Sequence, residues 1–396
     1  MSQDIPTLNS EVTAIPTDKI LGFQASIQGV DDLVFLTFGE PGFDAPKVVK
    51  EATIRGIQEN HSHYGHSQGN PELRQAVIDY MQDRYGLTQY PSIDQVVITA
   101  GVSEAMYAIF KTLLSTGDGI LVPDPAYGSY FSSIALANAQ AIPVDTSTTG
   151  FKLTPELVAK TVAEATVPVK AVLFNYPSNP TGVTYSKEEL AELAKAFEAA
   201  GVWVISDEIY SELTYGQEHH SIGEMIPDRA IVVNGLSKSH AMTGYRVGFI
   251  LAPKAVAAEL KKVHASLIYS IPTFVYDGAL AALQMPKEDL QPMLSTYQVR
   301  RDMAVELLRS LDFDVLSPDG AFYIFAKLPE DIEEDGWTFA EKLAKDGKVG
   351  VIPGEAFSQF EGAKDYIRLS YAGDTEQLKE GLSRIKAYIE KRRANR

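Results

Sequence analysis

Seven short apolar runs recur between residues 95 and 252, and most of the intervals between them read as helix. The runs cover 95–99, 120–123, 141–144, 169–174, 202–206, 230–233 and 247–252. Within 103–115, Met106, Ile109, Phe110 and Leu113 fall at helical spacing, and 187–200 forms a second helical stretch. Near-continuous apolar runs belong to strands covered on both faces, and strands joined by helical crossovers run parallel. The pattern therefore predicts an α/β fold, a mostly parallel sheet between two layers of helices. The interval from 233 to 247 is too short for a helical crossover, so the strand 247–252 is expected to run antiparallel.

The rest of the chain reads differently. Residues 286–311 are helical, followed by short strands at 322–326 and 366–370 and helices at 338–346 and 375–391. This predicts a smaller α+β domain. The Pro- and Gly-rich segment up to residue 45 is expected to pack with it, giving a large domain over 46–285 and a small domain from 1–45 and 286–396. A chain of 396 residues exceeds one ordinary core, which agrees with that division. Disorder is expected only in the first ten residues and the last few basic ones.

Several function classes are disfavoured at once. A formal net charge of −17 argues against nucleic acid and anionic membranes as partners. With no cysteine, disulfides, thiolate metal sites and cysteine nucleophiles are ruled out. No 18-residue apolar run is present, so no membrane span is expected. The start Met1-Ser-Gln-Asp-Ile-Pro6 lacks a basic-then-apolar pattern, so no signal peptide is expected and the cytoplasm is the expected location.

Small and polar residues follow the apolar runs in a telling way. Gly101-Val102-Ser103 follows the run at 95, Tyr127 the run at 120, and Asn175 and Ser178-Asn-Pro-Thr-Gly182 the run at 169. Asp207 and Tyr210 follow the run at 202, and Ser237-Lys238 the run at 230. In an open α/β sheet this carboxyl edge is where ligands bind. Ser103 at a helix start is either an N-cap or part of an anion site. Arg246 is either a surface ion-pair residue or a bidentate phosphate grip. Asp207 is either a turn aspartate or a partner for a protonated pyridine nitrogen. Tyr127 is either core packing or a platform for a flat cofactor. Lys238 lacks the glycine spacing of a phosphate loop, which leaves a surface lysine or a Schiff-base lysine. A Schiff-base lysine needs an acid for the ring nitrogen, a phosphate clamp and an aromatic platform. Each has a candidate here.

Ser178-Asn-Pro-Thr-Gly182, Ser206-Asp-Glu-Ile-Tyr210, and Leu236-Ser-Lys-Ser239 followed by Gly244-Tyr-Arg246 resemble the class I/II aminotransferases, the fold-type-I enzymes that use pyridoxal 5′-phosphate. The resemblance extends to Phe38-Gly-Glu-Pro-Gly-Phe43, Tyr64 through Gly69-Asn-Pro-Glu-Leu-Arg74, Pro353-Gly-Glu-Ala-Phe357 and Arg368-Leu-Ser370. It covers essentially the whole chain in order. It implies a seven-stranded central sheet, Lys238 as the Schiff-base lysine and Asp207 as the partner of the pyridine nitrogen. It further implies Tyr127 stacked on the ring, and Asn179 and Tyr210 on the phenolate oxygen. Gly101, Val102, Ser103, Ser237 and Arg246 would form the phosphate cup. Tyr64 would reach the phosphate of a neighbouring subunit, hence a homodimer. Arg368 would grip the substrate α-carboxylate, with Gly39 and Asn179 beside it. A bidentate arginine suits a planar carboxylate on physical grounds too, though a structural salt bridge would look the same in sequence.

The segments 234–246 and 207–215 look most like a bacterial subgroup of aromatic or N-acetyl-diaminopimelate aminotransferases. No arginine matches the grip on an aspartate side chain. The expected reaction is therefore transfer from an aromatic amino acid to a keto acid such as 2-oxoglutarate. N-acetyl-diaminopimelate and aspartate remain alternative donors, and a carbon–sulfur β-lyase or a non-catalytic binding domain are rival uses of the same scaffold. His61, His63 and His66 lack helical i,i+4 spacing and an obvious carboxylate, so they are expected to be a loop lining the site and no metal is assigned.

Overall fold

The computed structural model describes residues 7–15 and 17–395. Its strands in chain order are β1 (Val34–Phe35), β2 (Val96–Ala100), β3 (Gly119–Asp124), β4 (Gln140–Asp145), β5 (Val169–Asn175), β6 (Trp203–Asp207), β7 (Ala230–Gly235), β8 (Val247–Leu251), β9 (Asp314–Val315), β10 (Tyr323–Lys327), β11 (Val349–Gly350), β12 (Ile352–Pro353) and β13 (Tyr366–Ser370). Seven of them form one sheet in the order β2-β8-β7-β6-β5-β3-β4. Only β8 runs against its neighbours, pairing antiparallel with both β2 and β7. The short turns of helix between β7 and β8, Leu236–Ser239 and Thr243–Tyr245, leave no room for a crossover. The carboxyl ends of six parallel strands therefore share one edge.

Alternate residues of each strand feed opposite layers. Val97, Ile205 and Ile231 pack with Ile109 and Phe110 of the helix Gly101–Leu113 and Leu260 of Lys254–Leu267. On the other face, Ile98, Val232 and Phe249 meet Val77 of Pro71–Tyr85 and Ala279 of Thr273–Leu283. The same face farther along buries Val172, Phe174 and Val204 under Leu190 and Phe197 of Lys187–Ala200. The chain is thus an α/β protein with a mostly parallel seven-stranded sheet between two layers of helices.

A second, antiparallel sheet has the order β12-β13-β10-β9. It shares a core with Leu308 of Gln291–Ser310 and with Leu378, Leu382 and Ile385 of Thr375–Ala394. β1 pairs parallel with β11, and Phe23, Ile27 and Leu36 join that same core. Asp124, the last residue of β3, is tied to the segment between β12 and β13. It accepts hydrogen bonds from the Ser358 hydroxyl and, at 2.9 Å, from the Gln359 amide, and burial pushes its carboxyl up to about 6.

Three local expectations are corrected. The stretch expected as one helix over 286–311 is a 3-10 turn, Lys287–Leu290, followed by Gln291–Ser310. Pro292 lies in the first turn of the latter, where its missing N–H breaks no helical bond. The helix expected at 338–346 is Gly336–Lys342 continued by a wider π-turn, Leu343–Gly347. The first ten residues are not all a tail, because Ser10–Thr13 is a short helix with the Asn9 side chain accepting from Glu11 N. At the other end the basic residues continue the last helix to Ala394, while residues 1–6 and Arg396 lie outside the described ones. Among the described residues no helix is long and apolar enough to cross a membrane.

Candidate active site

The carboxyl edge of the large sheet and one face of the second sheet enclose a cleft of about 500 Å³. Gly39, Val102, Ser103, Tyr127, Asn179, Asp207, Tyr210, Ser237, Lys238, Arg246 and Arg368 all line it. The residues from Val102 to Arg246 converge because successive parallel strands end at one edge, while Gly39 and Arg368 come to the cleft from the side of the second sheet.

Lys238 rises from the short helix Leu236–Ser239 that follows β7. Its Nζ donates to the Gly39 carbonyl and lies 5.9 Å and 5.8 Å from the ring centres of Tyr210 and Phe322. Burial pulls its pKa down to about 8; Glu40 and Asp207 oppose the shift, while Arg246 and Arg368 add to it. A lysine so placed is neutral in a substantial fraction of molecules near pH 8, as a nucleophilic or proton-carrying amine must be.

Asp207 closes β6 and is buried. Its carboxylate accepts from the Tyr130 hydroxyl at 2.5 Å and the Ile209 amide at 3.1 Å. Its carbonyl accepts from Asn175 Nδ2 at 3.0 Å. Burial nevertheless pushes Asp207 up to about 6. It is a desolvated acid short of a cation, and a protonated ring nitrogen would supply one.

Arg368 comes from the middle of β13. Its Nη1 donates to Asn179 Oδ1 at 2.8 Å and its Nη2 to the Thr37 carbonyl at 2.8 Å. The guanidinium lies between the rings of Tyr323 and Phe357, 4.4 Å and 4.6 Å from their centres. Its buried Nε has no partner. Burial without a carboxylate lowers its pKa. The donor set is that of an arginine awaiting an anion.

A second anion seat lies at the start of Gly101–Leu113, whose first N–H groups have no helical partner. Ser103 sits inside the first turn. Ala100 is the cap and its amide donates to Glu104 at 2.9 Å, so the N-cap reading of Ser103 does not hold. Gly101 adopts φ +74°, and a Cβ there would run into the Arg246 guanidinium. That guanidinium is held by the Thr243 carbonyl at 3.0 Å. Gly101 thus leaves room for the Arg246 guanidinium while its amide stays among the free N–H groups of the helix start.

Tyr64 lies outside the cleft of its own chain. It is 87% exposed and packs edge-on against Tyr269 at 5.0 Å. The loop 61–66 packs against Thr273 and Tyr276, and His61 Nδ1 lies 2.7 Å from Asp277. The expectation that this loop lines the site therefore fails within one chain. Tyr130, Tyr323, Thr37 and Glu40 were missed by the sequence reading. Tyr130 had a signal, three positions after Tyr127 and at helical spacing on the following segment; Tyr323, in a buried strand of the other sheet, had none.

The pattern of the family described as aminotransferase class I and II matches residues 31–385. The chain belongs to that family. This aminotransferase is 39% identical over 386 residues to the probable N-acetyl-LL-diaminopimelate aminotransferase of Bacillus subtilis (strain 168), covering 98% of this chain and 96% of the relative. It is 34% identical over 384 residues to an aspartate aminotransferase of Pyrococcus horikoshii, 96% of each. Among solved structures, a single mutant of Thermus thermophilus aspartate aminotransferase matches with TM-score 0.90 at 34% identity, over 97% of this chain and 100% of that one. The aromatic aminotransferase of Pyrococcus horikoshii OT3 matches at 0.86 and 30% identity, over 94% and 99%. The protein is a pyridoxal-phosphate-dependent transaminase. The cleft fits that cofactor: an acid short of a cation, a low-pKa lysine and an anion seat face one space.

Proposed function

We propose that this aminotransferase takes an aromatic L-amino acid as donor and 2-oxoglutarate as acceptor. The observation that carries the reading is the cation inventory. Among the described residues the cleft wall holds three cations, Lys238, Arg246 and Arg368, and each has another task. None is left in this chain for the side-chain carboxylate of aspartate. Ile20, Phe38, Tyr127 and Tyr323 instead line the wall with apolar and aromatic surface. Gln24 offers the acceptor's second carboxylate a neutral donor that does not repel a ring.

Arg246, Ser103, Ser237 and the free amides of residues 101–103 hold the phosphate. Tyr127 covers the ring face, Tyr210 and Asn179 donate to the phenolate oxygen, and ionised Asp207 keeps the ring nitrogen protonated. Bound pyridoxal phosphate supplies an aldehyde carbon for nitrogen exchange and a ring that withdraws electrons from the substrate α-carbon. Arg368, with its unpaired Nε, holds the substrate α-carboxylate, and Gly39 lies alongside. This orients the α-hydrogen for Lys238 Nζ, which as a neutral amine takes that proton and later returns one. Tyr64 serves the phosphate of the neighbouring protomer in a homodimer. The unit 46–285 carries the cofactor, and 1–45 with 286–396 closes over substrate.

The names of the similar proteins favour a second reading, in which the donor is N-acetyl-diaminopimelate or aspartate. Mixing cofactor-loaded enzyme with single amino acids and following the loss of its visible absorbance separates the two. Phenylalanine and tyrosine should react at least about tenfold faster per unit concentration than aspartate, the worth of one buried apolar contact. The reverse order would overturn the aromatic reading.

A further inference from the structure

Tyr323 touches both Arg368, assigned to the substrate, and Tyr210, assigned to the cofactor. It projects from β10 and is 1% exposed. The Arg368 guanidinium carbon lies over its ring, 4.4 Å from the ring centre, and its hydroxyl lies 2.9 Å from the Tyr210 hydroxyl. No chemistry assigned above uses it. We propose that Tyr323 is a positioning residue whose hydroxyl donates to Tyr210, directs the Tyr210 proton at the cofactor's phenolate oxygen, and whose ring fixes the plane of Arg368. The proposal rests on the assignment of Tyr210 to that oxygen.

The direction of the bond follows from the assignment of Tyr210. Either hydroxyl has the geometry to donate across the 2.9 Å contact. A hydroxyl has one proton, and Tyr210 spends its own on the phenolate oxygen. Tyr323 is then the donor of the pair. With Tyr323 donating, the Tyr210 oxygen is satisfied as an acceptor and its own proton is free to point into the cleft. A hydroxyl that accepts one hydrogen bond donates a stronger one. Gly39 helps to hold the pair. A Cβ at position 39 would lie 2.7 Å from the Tyr323 hydroxyl, so the hydroxyl occupies the space a side chain would need.

The consequence is measurable without turnover. A stronger donor on the ring oxygen draws electron density from it, which makes the proton on the adjoining Lys238 nitrogen easier to lose. Removing the Tyr323 hydroxyl should therefore move the pH midpoint of the bound cofactor's absorbance change upward. The expected rise for Tyr323→Phe is about half a pH unit to one unit, the worth of one neutral hydrogen bond. Gly39→Ala, which displaces the same hydroxyl without altering Tyr323, should shift it the same way. Tyr323→Phe keeps the ring, so the KM for α-carboxylate substrates should change less than about threefold; Tyr323→Leu, which removes the ring, should raise it about tenfold.

Tyr210→Phe is the control in the same titration. It should move the midpoint at least as far as Tyr323→Phe, and adding Tyr323→Phe to it should add nothing. If Tyr210→Phe shifts the midpoint and Tyr323→Phe leaves it within about 0.2 unit, less than half the worth of a hydrogen bond, the link is wrong and the role of Tyr210 stands. If neither moves it, Tyr210 does not meet the ring oxygen, and both assignments fall.

Discussion

Asp207 and Arg368 are both buried charges in one cleft, yet they reach it by different geometry. Asp207 is the last residue of a parallel strand, and its neighbours in function also stand at strand ends or just beyond them. Arg368 is the middle residue of an antiparallel strand, opposite Phe325 of β10 and Ile352 of β12. Pairing puts Arg368, Phe325 and Tyr323 on one face, because residues two apart on a strand share a side. A parallel edge delivers functional groups by where strands stop; an antiparallel face delivers them by register. The first arrangement tolerates a shifted boundary, whereas a one-residue slip in the second would turn Arg368 away from the cleft altogether.

That contrast orders the expected effects. The largest belongs to the parallel edge. Lys238→Ala should lower kcat/KM by at least about 10³-fold while leaving the fold intact, since it removes both the nucleophile and the proton carrier. Steady-state rates with a matched cofactor content check this, and a loss under tenfold would remove Lys238 from the chemistry. On the antiparallel face, Arg368→Lys should raise KM for every α-carboxylate substrate by roughly 10- to 100-fold, because an ammonium cannot reproduce the planar fork. An effect confined to one substrate would mean that Arg368 reads a side chain instead.

Asp207 tests burial at the same edge. Burial holds its folded pKa at about 6, above the ordinary carboxylate value of 3.8. The folded state therefore holds its proton more tightly, and stability falls as pH rises from about 4 to 6 and stays lower above that window. Asp207→Asn removes that slope. The cofactor-free variant should match wild type near pH 4 and melt higher at pH 7.5, by up to about 3 kcal/mol. Parallel melting curves across the range would show that the carboxylate is not desolvated. The smallest expected effect concerns Lys238 in the cofactor-free protein. Its pKa is pulled down to about 8, so the rate of cofactor capture should climb with pH below that value and flatten above it. A climb continuing past pH 9.5 would place Lys238 in an ordinary, solvated setting.

Much of the large sheet could be read in advance. Apolar runs of strand length alternate with helical periods, and the short interval after residue 233 required β8 to turn back. The residues at strand ends followed directly, as did the family match over 31–385. Less was legible where contacts are distant in sequence. Gly101 looked like a phosphate contact, and its second task, leaving room for the Arg246 guanidinium, joins positions too far apart in sequence to be read there. Ser103 could have been a cap or part of the anion site, and the cap reading falls because the helix starts two residues earlier, with Gly101 in a left-handed φ and Glu104 reaching back to Ala100. The histidine loop looked like a wall of the site and lies elsewhere on this chain, beside Tyr64, which was expected to serve the neighbouring subunit and is exposed here.

Local pattern was enough for the fold class and for Lys238, Asp207 and Arg246 as a set, since periodicity and strand ends are properties of neighbouring residues. The state of those groups was not. Asp207 is strained upward, Lys238 downward, and Arg368 is left with one N–H unpaired because folding removes water around them and brings in partners such as Tyr130, Asn179 and Tyr323 from far along the chain. Desolvation and packing are collective, so they exist only once the two sheets have closed on each other.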